Sequence, residues 1–167
     1  VDEVGRGSLI GPVYAAAVIL NKSIKKKLLK DSKSLSKNRR EFLAKYIKKN
    51  SVWAVGKASV KEIEKMNILQ ASLLAMKRSI IKLKKKPKLV LIDGNKIPEI
   101  KNYKLKSIIK GDQKIASISA ASIIAKVSRD KMISALGKKI KGYDWDKNYG
   151  YGTKKHLRAI KNLGITP

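Results

Sequence analysis

The feature that most constrains this chain is the position of its few acidic residues. The sequence holds 40 Lys and Arg against 12 Asp and Glu, a net charge of +28. Yet Asp2 and Glu3 stand together before a glycine-rich run, Asp93 ends the apolar run 89–92, and Asp112 follows a glycine. Carboxylates beside glycines at strand ends predict a built site, because clustered anions repel one another unless a cation joins them. Oxygen ligands suit Mg²⁺ and Mn²⁺, so the pattern favours a divalent metal.

The composition indicates one folded domain. A length of 167 residues with 43% hydrophobic residues suffices for a substantial core, so we expect residues 1–167 to form a single domain. No apolar run reaches the ~18 residues of a membrane span, which predicts a cytoplasmic protein with no membrane partner. The absence of cysteine and the single histidine, His156, exclude disulfides, thiolate zinc sites and multi-histidine metal sites. Catalysis must therefore depend mainly on carboxylates.

The basic excess has two interpretations. It favours a polyanionic partner, and nucleic acid is the first choice. However, only six of the 40 basic residues are Arg, and a lysine bias of this kind also arises from an AT-rich coding sequence. Lysine runs such as 25–27 and 84–86 fit charged helix ends or loops. Charge alone leaves a nucleic-acid surface and a merely solvated surface equally open.

The order of apolar patterns predicts an α/β domain with a mixed sheet. Strands are predicted over 13–20, 52–60 and 88–92, and residues 1–5 form a hairpin with the first of them across 7–12. Helices are predicted over 37–49 with Ser36 as the cap, from Asn67 through 83, from Ser117 or Ser119 toward 138, and after Thr153. Strands followed by alternating helix and strand are typical of helices packed on a mixed sheet.

Each acidic motif also has a purely structural interpretation. Adjacent side chains on a strand point to opposite faces, so Asp2 and Glu3 reach one site only where the strand bends or ends, as the glycines after them allow. Asp93 before Gly-Asn also fits an Asx turn, and Asp112 fits a surface loop. Asp130, in a predicted helix, is explained as well by a salt bridge as by a role at the site.

Other motifs indicate contacts to nucleic acid. Arg6, between two glycines, offers a guanidinium and main-chain N–H groups to a phosphate or sugar. Lys33, within 31–35, either meets a phosphate from a tight loop or belongs to a helix cap. The aromatic and glycine stretch 148–153 is either a turn with a packed tyrosine or a platform for a sugar or base. For His156 a structural or surface role is favoured.

Together, and in this order, these motifs resemble bacterial ribonuclease HII. They are Asp-Glu-Val-Gly-Arg-Gly at 2–7 with Gly-Pro at 11–12, Asp-Ser-Lys-Ser-Leu at 31–35, Asp-Gly-Asn at 93–95, Gly-Asp at 111–112, the small-residue segment 118–130, and Tyr-Gly-Tyr-Gly-Thr at 149–153 followed by His156. The resemblance covers essentially the whole chain. Arg6 favours type HII over type HIII, which usually has lysine there. Ser8 stands where proline is common, and both ends look clipped relative to the family.

The resemblance implies a ribonuclease H-like fold, with a mixed central β-sheet flanked by helices and a C-terminal helical portion. It implies an endoribonuclease that hydrolyses the RNA strand of RNA–DNA hybrids and cuts 5′ of single ribonucleotides embedded in duplex DNA. A two-metal-ion mechanism with Mg²⁺ or Mn²⁺, giving 3′-hydroxyl and 5′-phosphate ends, is part of the same expectation. The family's catalytic and metal-binding carboxylates carry over onto Asp2, Glu3, Asp93 and Asp112.

Substrate contacts carry over as well. Gly5, Arg6, Gly7 and Tyr151 are expected to recognise the ribonucleotide sugar, and Lys33 to contact a phosphate. The protein is expected to be a monomer. Two alternatives stay open: a non-catalytic basic nucleic-acid-binding protein, and another ribonuclease H-like nuclease such as a junction resolvase. The placed acids count against the first, because a pure binder gains nothing from anions along the phosphate path.

Overall fold

The computed structural model describes residues 1–29 and 35–166. The strands are β1 Asp2–Val4, β2 Val13–Leu20, β3 Ser51–Ala58, β4 Val90–Asp93 and β5 Leu105–Ile108. The helices are α1 Lys37–Asn50, α2 Val60–Met66, α3 Ile68–Ile81, α4 Gly111–Lys114, α5 Ala116–Lys139, α6 Trp145–Asn148 and α7 Lys154–Leu163, and a 3₁₀ turn spans Lys26–Leu29. Within these residues no helix combines the length and apolar character needed to cross a membrane.

Strand β1 lies at the centre of a mixed sheet. β2 pairs antiparallel with both β1 and β3, and β4 pairs parallel with β5. The two groups are joined at Val1, whose nitrogen donates to the Leu91 carbonyl at 2.8 Å and whose carbonyl accepts from the Asp93 N–H at 3.0 Å. This alternation is the pattern of a parallel pair. The strand order is therefore β3-β2-β1-β4-β5, which confirms the predicted hairpin and mixed sheet.

Helices cover both faces of this sheet, because side chains along β2 alternate between two cores. Ala16 and Val18 pack with residues of α1 and α5, whereas Ala15 and Ala17 pack with residues of α3 and β4. Burial on both faces explains why β2 is an uninterrupted apolar run. On β3, Gly56 leaves room for the main chain of α3, since any Cβ at this position would collide with it.

The predicted caps of three helices are confirmed. The Ser36 hydroxyl accepts from the main chain of the first turn of α1, and the Asn67 side chain accepts from two N–H groups of α3. The Thr153 hydroxyl accepts from the N–H of His156 at 3.2 Å at the start of α7. Each cap satisfies main-chain donors that have no partner within the helix.

The predicted strand over 52–60 is too long. It ends at Ala58, because Ser59 caps α2 in a capping box: its hydroxyl accepts from the Glu62 N–H, and the Glu62 carboxylate accepts from the Ser59 N–H. The β-branched residues before Ser59 concealed this start signal, so α2 was not predicted.

The predicted start of α5 is also wrong. The helix begins at Ala116 after Ile115, with no side-chain cap, so neither Ser117 nor Ser119 opens it. Ser119 is buried inside the helix, and its hydroxyl donates to the carbonyl of Leu29. A serine that resembled a cap therefore ties α5 to the 3₁₀ turn.

Candidate active site

Three of the four predicted carboxylates line one cleft of about 400 Å³. Asp2 and Glu3 come from β1 and Asp93 from the last position of β4, and the pairing of these strands places them side by side. The remaining lining residues are Val4, Arg40, Ser122, Ile123, Lys126 and Tyr151. The cleft thus has an acidic floor and basic and aromatic groups on its walls.

Asp2 is the most buried of these three acids, with 5% of its surface exposed. Its carboxylate accepts from the Glu3 N–H at 2.8 Å and is hydrogen-bonded to the side chain of Ser122. Burial, and then the negative charge of Glu3, raise the pKa of Asp2 to about 8, and the Ser122 bond only partly opposes this. The ionised form of Asp2 is therefore unfavourable in this cleft unless a cation stabilises it.

Glu3 reaches the same cleft near the end of β1, which continues for only one residue beyond it. The strand stops at Val4, and Gly5 follows with φ +107°, a conformation that favours glycine. The Glu3 side chain is 15% exposed, and its carboxylate pairs with the Arg6 guanidinium at 3.3 Å. The expectation that two adjacent acids share a site only at a strand end is met here.

Asp93 and Asp112 are connected through a glycine. The Asp93 carboxylate accepts from the Gly111 N–H at 2.6 Å, so it bonds across to the start of α4. A Cβ on Gly111 would lie 2.5 Å from the Ile118 side chain, which leaves glycine as the residue that fits. Asp112, 3% exposed, comes next, but it lines a second cavity of about 760 Å³.

The four acids do not form a closed metal cluster in this structure. Over residues 1–29 and 35–166, no three His, Asp or Glu side chains converge closely enough to hold an ion. Asp2, Glu3 and Asp93 nevertheless share one cleft, and Asp112 lies one residue beyond the glycine bonded to Asp93. Carboxylate oxygens are the donors that a hard divalent cation prefers.

One wall of the cleft is a lysine held over aromatic rings. The Lys126 ammonium lies 5.0 Å from the ring centroids of both Tyr149 and Tyr151, within cation–π distance. It also pairs with Asp130 at 2.8 Å. Asp130 is therefore a salt-bridging helix acid that orients a cation at the cleft.

The Gly-Arg-Gly turn lies against the loop of Tyr151. Ser8 forms an isolated antiparallel bridge with Tyr151, and the Leu9 N–H donates to the Gly150 carbonyl at 2.9 Å. Arg6 and Gly7 are exposed beside this bridge. The structure thus brings Gly5, Arg6 and Gly7 close to Tyr151, whereas Lys33 lies outside the described residues and stays a prediction.

His156 has the structural role that its position favours. The ring is fully buried, and its Nε2 accepts from the Trp145 indole N–H at 2.9 Å. Nδ1 consequently carries the proton and donates to the Tyr151 carbonyl at 2.9 Å. His156 thus holds the main chain of Tyr151 in place through this hydrogen bond.

Sequence reasoning did not single out Arg129, which is fully buried on α5. Its guanidinium bonds to the main chain of two separate loops. The sequence around it gave no signal, because residues 126–131 read Lys-Val-Ser-Arg-Asp-Lys and an arginine among charged residues is expected to be exposed. Its partners are 20 to 121 positions away in sequence.

Comparisons with known proteins point to one family. The family model described as ribonuclease HII matches residues 1–167. The chain is 76% identical over 166 residues to the ribonuclease HII of Pelagibacter ubique (strain HTCC1062), covering 99% of this chain and 89% of that protein. It is 49% identical to the ribonuclease HII of Roseobacter denitrificans, covering 100% and 84%. The ribonuclease HII of Archaeoglobus fulgidus, solved in complex with PCNA, superposes with a TM-score of 0.81 at 30% identity, covering 99% of this chain and 89% of that one.

Proposed function

The chain belongs to the ribonuclease HII family, and on this premise we propose that it hydrolyses the RNA strand of RNA–DNA hybrids and cuts duplex DNA 5′ of a single ribonucleotide. Family members are metal-dependent endoribonucleases, so the chain is an enzyme that acts on nucleic acid. The non-catalytic alternative is thereby excluded. One observation supports the substrate proposal above others: the acidic cleft adjoins the loops of Gly5–Gly7 and Tyr151.

We propose Asp2, Glu3, Asp93 and Asp112 as the metal ligands. Asp2, Glu3 and Asp93 supply oxygens from the cleft, and Asp112 supplies them from the short helix that is bonded to Asp93. The donor set suits Mg²⁺ or Mn²⁺, and the raised pKa of Asp2 marks the charge that a cation would neutralise. Two such ions, when bound, supply an activated water and stabilise charge on the leaving 3′ oxygen.

The chemistry of a single ribonucleotide in DNA determines the nucleophile. The phosphate on its 5′ side follows a deoxyribose, so no neighbouring 2′-hydroxyl exists to attack it. Water must attack instead, which leaves a 3′-hydroxyl and a 5′-phosphate. Carboxylates alone would repel the phosphate, and the positive charges of Lys126 and Arg40 on the cleft wall counter this repulsion.

The lone 2′-hydroxyl lies beyond the scissile bond and can only be sensed. The main chain at Gly5–Gly7 can approach it closely, since glycine has no side chain, and Tyr151 can stack on the sugar and bond through its hydroxyl. Lys33 is proposed to contact a phosphate. We also propose that the enzyme acts as a monomer.

The test uses two labelled substrates, a long RNA–DNA hybrid and a DNA duplex with one ribonucleotide, in Mg²⁺ or Mn²⁺ and then with EDTA. We expect cleavage of both, a single cut 5′ of the ribonucleotide, and no cleavage with EDTA. An all-deoxy duplex is the matched control, and it should stay intact. Cutting that ignores the ribonucleotide would favour a different ribonuclease H-like nuclease.

A further inference from the structure

We infer that Arg129 is a positioning residue for ribonucleotide recognition, a role that rests on the proposed function. Its guanidinium fastens the turn that carries Gly5–Gly7 to the turn that carries Tyr151. Arg129 is fully buried on α5 and does not line the cleft, so it acts on the substrate only through these two turns.

The hydrogen bonds of Arg129 divide between the two turns. On the first turn, Nε donates to the Pro12 carbonyl at 3.1 Å, and one terminal nitrogen donates to the Ile10 carbonyl at 2.8 Å and the Ser8 hydroxyl at 2.6 Å. On the second turn, the other terminal nitrogen donates to the Tyr149 carbonyl at 3.0 Å. The rigid fork of a guanidinium fixes the angle between these bonds, which a lysine cannot do.

Arg129 also contacts both elements that are proposed to sense the sugar. A Cβ on Gly5 would lie 2.5 Å from Nε of Arg129, so the first glycine of the motif is required by this contact as well as by its positive φ. The guanidinium carbon lies 5.6 Å from the Tyr151 ring centroid. One buried cation therefore supports the glycine turn and the tyrosine ring at the same time.

Ser8 adds a link of its own. Its hydroxyl accepts from Arg129 and lies 3.1 Å from the Gly150 carbonyl and 2.9 Å from that of Ile10, to either of which it can donate its proton. Ser8 thus joins Arg129 in linking the two turns.

The test is Arg129→Lys, which keeps the charge and removes the fork. The readout is the rate on the single-ribonucleotide duplex divided by the rate on a long hybrid, measured with the full chain and Mg²⁺. Misplaced sensing groups should lower the first rate roughly 10- to 100-fold. The hybrid rate should fall less, because a long hybrid offers many positions at which the enzyme can bind and cut. Arg78→Lys is the matched control: it breaks a forked pair with Glu62 away from the cleft and should leave the ratio unchanged.

A purely structural role gives a different result. Equal losses on both substrates, together with a lower melting temperature, would overturn the inference. If Arg129→Lys does not fold, the same two rates are measured for Ser8→Ala. A lower ratio of the single-ribonucleotide rate to the hybrid rate, at an unchanged melting temperature, supports the inference. An unchanged ratio overturns it. A wild-type enzyme that does not cut at the single ribonucleotide would instead overturn the proposed function, and the role of Arg129 with it.

Discussion

The carboxylate of Asp93 accepts a 2.6 Å hydrogen bond from the main-chain N–H of Gly111, so the end of β4 is tied to the turn that carries Asp112. Gly111 opens α4, and the first N–H groups of a helix have no partner within it. Asp93 therefore has two tasks, to hold this turn and to present negative charge to the cleft. An asparagine can perform the first task and not the second.

Replacing Asp93 with Asn should separate these tasks. The amide oxygen can still accept from Gly111, so the fold should hold, while the loss of one proposed metal ligand should reduce turnover by about two orders of magnitude or more. Hybrid affinity should stay the same or rise, because one repulsive charge is gone. Single-turnover rates and a binding titration measure the two effects. Asp146→Asn, at an exposed surface acid, is the control. Near-normal cleavage by Asp93→Asn would contradict the ligand assignment.

Replacing Asp2 with Asn should stabilise the metal-free protein. Burial, and then the charge of Glu3, raise the pKa of Asp2 to about 8, so near neutral pH folding forces this carboxyl to take up a proton, and Asn removes that cost. A relief of about 1 kcal/mol would raise the melting temperature by ~2–4 °C for a chain of this size. Added Mg²⁺ should stabilise the wild type more than the variant, because only the wild type has the full ligand set. Thermal melts of both proteins, with EDTA and with Mg²⁺, measure these two effects. If Mg²⁺ raises the melting temperature of wild type and variant equally, Asp2 is not a ligand.

The helix periodicities were sufficient to predict most elements of the fold, and the acidic motifs singled out three residues of the cleft, Asp2, Glu3 and Asp93, together with Asp112, which lines another cavity. Asp2 and Glu3 stand near the end of a strand that glycines follow, and in the structure β1 does end just before Gly5. Arg129 was not recognisable in the same way. Its bonding partners include Ser8 and Pro12, more than a hundred positions away, so no local pattern records the contact.

Strand β5 was missed for a different reason. It is four residues long, and its two central positions, Lys106 and Ser107, are exposed. A short edge strand of this kind buries too little to leave an alternating apolar pattern, and charged residues are what such edges carry. Pairing with β4, rather than the propensity of its own residues, determines its conformation.

Acid should selectively remove the contribution of Glu62 to stability. The hydrogen bond from Arg78, followed by those from Ser59, lowers the pKa of Glu62 from 4.5 to about 2. A depressed pKa means that the ionised form is stabilised by folding. The contribution is therefore complete above pH 4.5 and is lost as the pH falls toward 2. The difference in unfolding free energy between wild type and Glu62→Gln should be largest near neutral pH and vanish near pH 2. A difference that does not change with pH would mean that capping geometry, rather than charge, is what Glu62 contributes.

Tyr151 gives the sharpest test of sugar recognition. Burial raises the pKa of Tyr151, so at neutral pH its hydroxyl keeps the proton that it would donate to a 2′-oxygen. Lys126 and Arg129 lie against the ring and hold its orientation. Tyr151→Phe keeps the ring and loses the hydroxyl, whereas Tyr151→Ala loses both.

Tyr151→Ala should reduce cleavage of the single-ribonucleotide duplex at least as much as cleavage of a long hybrid. The hybrid offers many positions at which the enzyme can bind and cut, whereas the duplex offers only one. Stacking on an aromatic ring is worth about 1–3 kcal/mol per base, which sets the expected loss at roughly 5- to 150-fold. If the hydroxyl senses the sugar, the rate of Tyr151→Phe on the single-ribonucleotide duplex should lie between those of the wild type and Tyr151→Ala. Tyr103→Ala, at a half-buried tyrosine beneath Lys86 that does not line the cleft, is the control. The measurement is the rate on each substrate for each variant relative to wild type. Unchanged rates for Tyr151→Ala would make Tyr151 a packing residue, and sugar sensing would then rest on the Gly5–Gly7 turn.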